Sequence, residues 1–160
     1  MTAVEAYELT TQGGATDFAR VIDACAATGA WCLIGGLAVN TYVEPVYTLD
    51  ADLVVVASGL GVLAQKLRDQ AGSELRIQFT TDPRYQDFPG RAVEAVVLGV
   101  PVRVASLEDV AQGKLWAYSD PTRRLSKRKK DELDLIRLAE AWPVLRAMYP
   151  RDLLEEIDRG

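Results

Sequence analysis

The chain has 160 residues, of which 49% are apolar and 26% charged, and a formal net charge of −5. These values suit a single globular domain with a proper core, and they exclude a generally basic nucleic-acid binder. Histidine is absent. That removes Ser-His and Cys-His triads, a histidine general base and the usual zinc ligands, and leaves acid–base work to carboxylates, lysine, tyrosine or water.

In chain order, residues 1–14 end in Gly13-Gly14 and read as a loose N-terminal segment. Thr16 is placed to cap a helix whose stripe is Phe18, Val21, Ile22, Cys25 and Ala26, ended by Gly29. A strand at 31–34, a short helix at about 37–43 and a strand at 51–57 follow. Leu60–Gln70 reads as a helix and Glu74–Thr80 as a strand. Ala92–Leu98 and Val100–Ala105 read as a hairpin around Gly99-Val100-Pro101. The last third is helical: Ser106 to about Ser119, Ser126 to about Trp142, and a shorter helix within Leu145–Ile157. The expected fold is α/β or α+β, one domain over 15–160, with a mixed sheet over about 15–105 and C-terminal helices over about 106–158.

No apolar run approaches the roughly 18 residues of a membrane span. The acidic start, Met1 to Glu8, lacks a signal-peptide core. Cys25 and Cys32 have neither metal nor disulfide-framework spacing, so they read as buried thiols of a cytoplasmic protein.

The most informative stretch runs from Cys32 to Val56. An apolar run ends in Gly35-Gly36, thirteen residues intervene (Leu37 to Leu49), and Asp50 and Asp52 then open another apolar run. Two residues apart on a strand, these aspartates share one side of the sheet. Like charges so placed repel, and a hard cation such as Mg²⁺ (or Mn²⁺) between them would relieve it. The glycines allow a ligand close to the backbone at a helix start, where free N–H groups favour anions. The competing reading is a strand-entry turn with soluble aspartates. Thr48 is equally suited to holding a phosphate and to closing that turn.

Lys114 falls on the inward face of its helix, i+7 from Leu107 and i+4 from Val110, where lysine is costly unless paired or able to snorkel outward. Asp131 and Asp134 lie i, i+3 on the next helix. Lys127 and Lys130, four residues before each, are their candidate helix partners. Six of the eight residues from Arg123 to Lys130 are basic, a solvated face or a grip on RNA backbone or triphosphate.

Taken together, Gly35-Gly36, Asp50 and Asp52, Leu107-Glu108-Asp109, Lys114 and Lys130-Asp131-Glu132-Leu133-Asp134 resemble the nucleotidyltransferase (DNA polymerase β-like) superfamily. The resemblance is to its small AbiEii-like toxin branch and covers about residues 15–142. It implies a nucleotidyltransferase-like mixed sheet flanked by helices, and Mg²⁺ or Mn²⁺ held by Asp50 and Asp52. It implies nucleotide binding at Gly35, Gly36, Thr48 and Lys114, and catalytic roles for Asp50, Asp52, Lys114 and Asp131, with Asp131 facing the lysine. The implied reaction is transfer of a nucleotide from an NTP to a hydroxyl of RNA, tRNA foremost, or of a partner protein.

Two departures stand out. Active relatives generally place a third carboxylate on a later strand; here Leu75–Phe79 offers Arg76 and Gln78, with Glu74, Asp82 and Glu94 as neighbours. Val46 stands where many small relatives carry arginine. The alternative expectation is therefore a catalytically degenerate nucleotide-binding or antitoxin-like module.

Overall fold

The computed structural model describes residues 1–68 and 72–160. The expected helix end at Gln70 lies outside the described residues. The segment expected to be loose forms helix α1 (Ala3–Thr10). Thr2 and Glu5 close a reciprocal capping box: Thr2 Oγ1 accepts the Glu5 N–H at 3.1 Å, and the Glu5 carboxylate accepts the Thr2 N–H at 2.7 Å. Caps of this kind contribute about 1 kcal/mol. Tyr7 is buried and donates its hydroxyl to the Thr48 carbonyl at 2.8 Å, which ties α1 to the approach of the aspartate strand.

Helix α2 (Gly14–Ala26) buries Phe18, Val21, Ile22 and Cys25 of the expected stripe, whereas Ala26, at the last turn, is exposed. It begins two residues before Thr16, which is therefore not its cap. Thr16 instead donates its N–H and hydroxyl to the Glu8 carboxylate of α1, at 2.8 and 2.5 Å.

The chain then forms β1 (Trp31–Ile34), α3 (Gly35–Val39), β2 (Asp50–Val55), α4 (Leu60–Leu67), β3 (Arg76–Thr80), α5 (Phe88–Arg91), β4 (Val93–Val97) and β5 (Val100–Val104). The five strands form one mixed sheet in the order β3-β2-β1-β5-β4. Strand β1 runs antiparallel to β2 and parallel to β5, while β2 and β3 are parallel. The β4–β5 hairpin turns through Leu98 and Gly99, both at positive φ (+48° and +84°). This geometry matches the twist of the flanking strands and is easiest for glycine. The central strands bury Cys32, Leu33, Leu53 and Val54.

Helices α6 (Leu107–Ser119) and α7 (Leu125–Ala141) pack on each other and on α3. Ser106 caps α6 as expected, its hydroxyl accepting the Asp109 N–H. The expected last helix is divided at Pro150, with a 3₁₀ stretch (Pro143–Met148) before it and α8 (Arg151–Arg159) after it. Proline cannot donate to a preceding turn, which explains the break. No described helix is long and apolar enough to cross a membrane. Both cysteines are free and buried, and burial pushes each thiol up to about 12.

Candidate active site

The aspartate pair lies on β2, and its surroundings follow from strand register. Antiparallel pairing sets Ile34 opposite Asp52, so the chain leaves β1 and turns into α3 directly beside that carboxylate. Gly35 occupies this turn with φ +76°, and a Cβ there would meet Asp52 Oδ2 at 2.3 Å. Only glycine fits, on both conformational and steric grounds. Gly36 is different: a Cβ would sit 3.5 Å from Thr48 Oγ1, an ordinary contact. With five residues, α3 offers little more than one turn of aligned peptide dipoles.

Asp50 and Asp52 have unlike environments. The Arg76 Nε donates to Asp50 Oδ1 at 2.7 Å from the neighbouring strand β3, where Arg76 pairs directly opposite Asp50. Asp52, half-buried and opposite Gln78, has no hydrogen bond or ion pair among the described residues. Burial pushes its pKa above the usual carboxylate value. Lys114, Arg123 and Lys127 pull it down and Asp50 pushes it further up, leaving a net rise.

Across a cleft of about 210 Å³ stands the helical wall. The buried stripe of α7 is Asp131, Asp134, Leu135, Leu138 and Ala139, spaced i, i+3, i+4, i+7, i+8, so both aspartates lie on the inward face. Asp131, 2% exposed, accepts from Lys114 Nζ at 3.2 Å and Arg123 Nε at 2.7 Å. Asp134 accepts from Lys114 Nζ at 2.9 Å and Arg137 Nη1 at 2.9 Å. Burial works against the Lys114 ammonium, but Asp134 and Asp131 outweigh it and hold its pKa above the ordinary lysine value. Arg137 also donates to the Glu44 carbonyl, anchoring the loop that leads to Asp50.

The cleft thus brings together Gly35, Asp50, Asp52, Lys114 and Asp131. Gly36 and Thr48 do not line it. Thr48 is buried and its hydroxyl accepts the Asp50 N–H at 3.3 Å, which is the turn-closing reading of this residue. Lys114 ion-pairs with Asp131 and Asp134 and not with Asp52. The helix partners expected for the two aspartates, Lys127 and Lys130, are replaced by Lys114, Arg123 and Arg137.

Only part of the basic run reaches the cleft. Arg123 and Lys127 line it, Arg128 donates to the Arg123 carbonyl, and Lys129 pairs with Glu132 at 3.4 Å. None of the acids available as a third carboxylate lines the cleft. Asp82 binds Arg84 at 3.0 Å, Glu94 on the far edge strand lies 3.7 Å from Arg103, and the exposed Glu74 accepts from Gln12.

Gln78, already marked as standing where an acid is expected, lines the cleft, and Tyr85 is a lining residue that the sequence does not bring forward. Tyr85 lines the cleft, packs edge-on against Phe88 and Trp116 and lies over Gly113, where a Cβ would meet its ring at 3.4 Å. No local sequence signal marks Tyr85, because its place depends on the 3₁₀ turn Pro83–Tyr85 folding back over α6.

Solved structures similar to the chain include those of two proteins. The solution structure of the antibiotic-resistance factor ANT(2'')-Ia, a nucleotidyltransferase, aligns with a TM-score of 0.57 at 19% identity, over 93% of this chain and 97% of that one. A nucleotidyltransferase-like protein from Paracoccidioides brasiliensis aligns with a TM-score of 0.47 at 18% identity, over 78% of this chain and 75% of that one. The fold is nucleotidyltransferase-like, a five-stranded mixed sheet flanked by helices. No protein-family model and no curated protein matches the sequence.

Proposed function

We propose that the cleft binds a nucleoside triphosphate with a divalent cation, Mg²⁺ or Mn²⁺, and transfers the nucleotide to a hydroxyl of RNA, tRNA foremost, or of a partner protein. The observation that supports it best is Asp52: a half-buried carboxylate with no hydrogen bond or ion pair among the described residues, beside a second carboxylate and facing a wall of cations. The donor set fits the ion. No group of three His, Cys, Asp or Glu side chains lies together among the described residues, but Mg²⁺ is commonly held by one or two carboxylates plus substrate phosphates. Asp50 and Asp52 would supply those carboxylates. The bound ion would neutralise charge on the triphosphate and on the reacting oxygens.

This chain's own residues do the rest. Arg123 and Lys127 attract the triphosphate into the cleft, and Lys114, fixed by Asp131 and Asp134, presents a permanent charge toward it. Attack of the acceptor hydroxyl on the α-phosphate forms the new P–O bond and expels pyrophosphate, and the hydroxyl proton passes to water or to the Asp52 carboxylate. The exposed Arg124 and Lys130 of the same basic run suit an RNA backbone. The motif order through Lys114 and Lys130–Asp134 supports the finer reading of an AbiEii-like toxin acting in phage defence or in a toxin–antitoxin pair.

One observation favours a second reading, a nucleotide-binding module without turnover. Arg76 and Gln78 occupy the β3 positions opposite the aspartates, where an acid would assist the acceptor.

Incubation with α-labelled NTPs, Mg²⁺ or Mn²⁺, and total RNA or cell lysate separates the two readings. Label on RNA or protein, lowered about 100-fold or more by Asp52→Asn, supports transfer. Metal-dependent NTP binding in a calorimeter without label on any acceptor supports the module. Failure to bind any NTP with either metal overturns both.

A further inference from the structure

Arg76 is the one residue whose charge runs against what the nucleotide reading expects at its position. It pairs across strands with Asp50 through Nε at 2.7 Å, and neither Nη atom has a hydrogen bond among the described residues. Asp50 is mostly covered, with 16% of its side chain exposed, whereas Arg76 is 62% exposed. The carboxylate is thus mostly covered and the guanidinium is an arm at the surface, with Nη donors that no hydrogen bond to Asp50 occupies.

We infer that Arg76 is a built-in counter-cation for Asp50, displaced from it by a divalent ion and received by the triphosphate that accompanies that ion. This rests on the nucleotide reading and adds an order of events to it. A divalent ion shared by Asp50 and Asp52 adds two positive charges next to a guanidinium, so the bare ion meets both competition for the carboxylate and repulsion. A triphosphate removes the conflict: its oxygens suit the planar fork of Nη donors, and its negative charge offsets the ion. Asp52 has no such directly paired cation among the described residues, only the more distant Lys114, Arg123 and Lys127, which leaves it as the carboxylate that meets the ion first. Metal binding to the free protein is accordingly weak and becomes tight only with nucleotide. A cation at the strand position where an acid is expected is then a working part of this site and not a mere loss.

The test compares wild type, Arg76→Gln, Arg76→Lys and Asp52→Asn, with thermal melts showing that each is folded. Free Mn²⁺ is counted by electron paramagnetic resonance without nucleotide, and calorimetry with Mn²⁺ and a non-hydrolysable NTP analogue follows. Arg76→Gln is expected to bind bare Mn²⁺ about fivefold more tightly, the scale of a partly exposed ion pair. The same variant should bind the analogue about tenfold more weakly, the scale of a charge-assisted hydrogen bond. Arg76→Lys should resemble wild type toward bare Mn²⁺ while still weakening the analogue. A structural ion pair alone would not move the two affinities in opposite directions. Unchanged or weaker Mn²⁺ binding in Arg76→Gln, or movement of only one of the two affinities, overturns the inference. If Asp52→Asn abolishes both bindings while Arg76→Gln shifts neither, only the Arg76 role falls; if Asp52→Asn also shifts neither, the nucleotide reading falls with it.

Discussion

On the helical wall of the cleft every buried charge has an opposite within 3.2 Å, whereas on the sheet wall Asp52 has no hydrogen bond or ion pair among the described residues. Arg123, Asp131, Lys114, Asp134 and Arg137 form an unbroken series of alternating sign, anchored at its end on the Glu44 carbonyl. Asp50 and Asp52 are two like charges side by side, one of them relieved by a surface arginine. The two regions separate two uses of buried charge. The helical series holds α6, α7 and the loop before β2 in one arrangement, and so fixes a positive field. The sheet pair is left with unmet demand for positive charge, which is what a ligand can satisfy. The first wall holds the fold and a fixed positive field, and the second is the wall left open to the proposed ion.

The largest effect should come from breaking the paired wall. Asp131→Ala removes a common acceptor from Lys114 and Arg123 in a nearly fully buried place. Losing one partner of a buried pair typically costs about 3–5 kcal/mol. Urea unfolding should report a loss near the lower figure, since Lys114 keeps Asp134. Lys114→Met should cost less, about 2 kcal/mol, because each aspartate retains an arginine. If both variants unfold like wild type, the helical series is not a stabilising scaffold and the contrast between the walls fails.

A sharper probe sits at the seam between the walls, where the two adjacent glycines should behave differently. Gly35→Ala forces a Cβ to 2.3 Å from Asp52 Oδ2 at φ +76°. Strain of this kind costs about 1–3 kcal/mol, and the displaced carboxylate should also lose NTP binding. Gly36→Ala meets Thr48 at 3.5 Å, so it should stay within about 0.5 kcal/mol of wild type and keep binding. Equal behaviour of the two variants, in melts and in nucleotide titrations, would show that the close approach to Asp52 is not what the glycine pair is for.

The strands, the α2 stripe, the hairpin and the Ser106 cap are legible in the sequence because each rests on local periodicity or a local cap. The α1 cap is also written locally, since Thr2-Ala3-Val4-Glu5 is a capping-box pattern, and the expectation of a loose segment rests on Gly13-Gly14 alone. Asp50, Asp52 and Gly35 stand out through spacing, and Lys114 through its place on a helical stripe. The burial of Asp131 and Asp134 is readable from the same kind of evidence. Extending the α7 stripe of Leu135, Leu138 and Ala139 one turn back lands on both, but local i, i+4 lysines compete for the same explanation. Arg123 and Arg137 as partners, Thr48 turned away from the cleft and Tyr85 over Gly113 depend on how α6 and α7 cross the sheet. No local rule encodes those contacts. Arg76 was visible as the wrong residue for an acid; that it grips Asp50 required the β2–β3 register.

The smallest expected effect tests the sheet wall itself. Asp52 has a native pKa raised above its ordinary value of 3.8, chiefly by burial. Above the raised value the group is ionised in both native and unfolded chains, and the native state carries the whole cost of the desolvated charge. Below about 3.8 it is protonated in both, and the cost is gone. Stability contributed by this group therefore rises as pH falls through the native pKa, opposite to a salt-bridged aspartate. Asp52→Asn removes the cost while keeping the shape, so at pH 7 it should stabilise the protein by about 1 kcal/mol. For a chain of this size that is a rise of about 2–4 °C in melting temperature. The gap between variant and wild type should narrow as pH falls through the native pKa of Asp52 and close below 3.8. Lys114, Arg123 and Lys127 face the same carboxylate and lose its attraction in the variant, which limits the gain. The sign of the shift is thus the measurement that matters. A melting temperature lowered by Asp52→Asn at pH 7 would mean that those cations outweigh burial, making Asp52 part of the paired network and erasing the difference between the two walls.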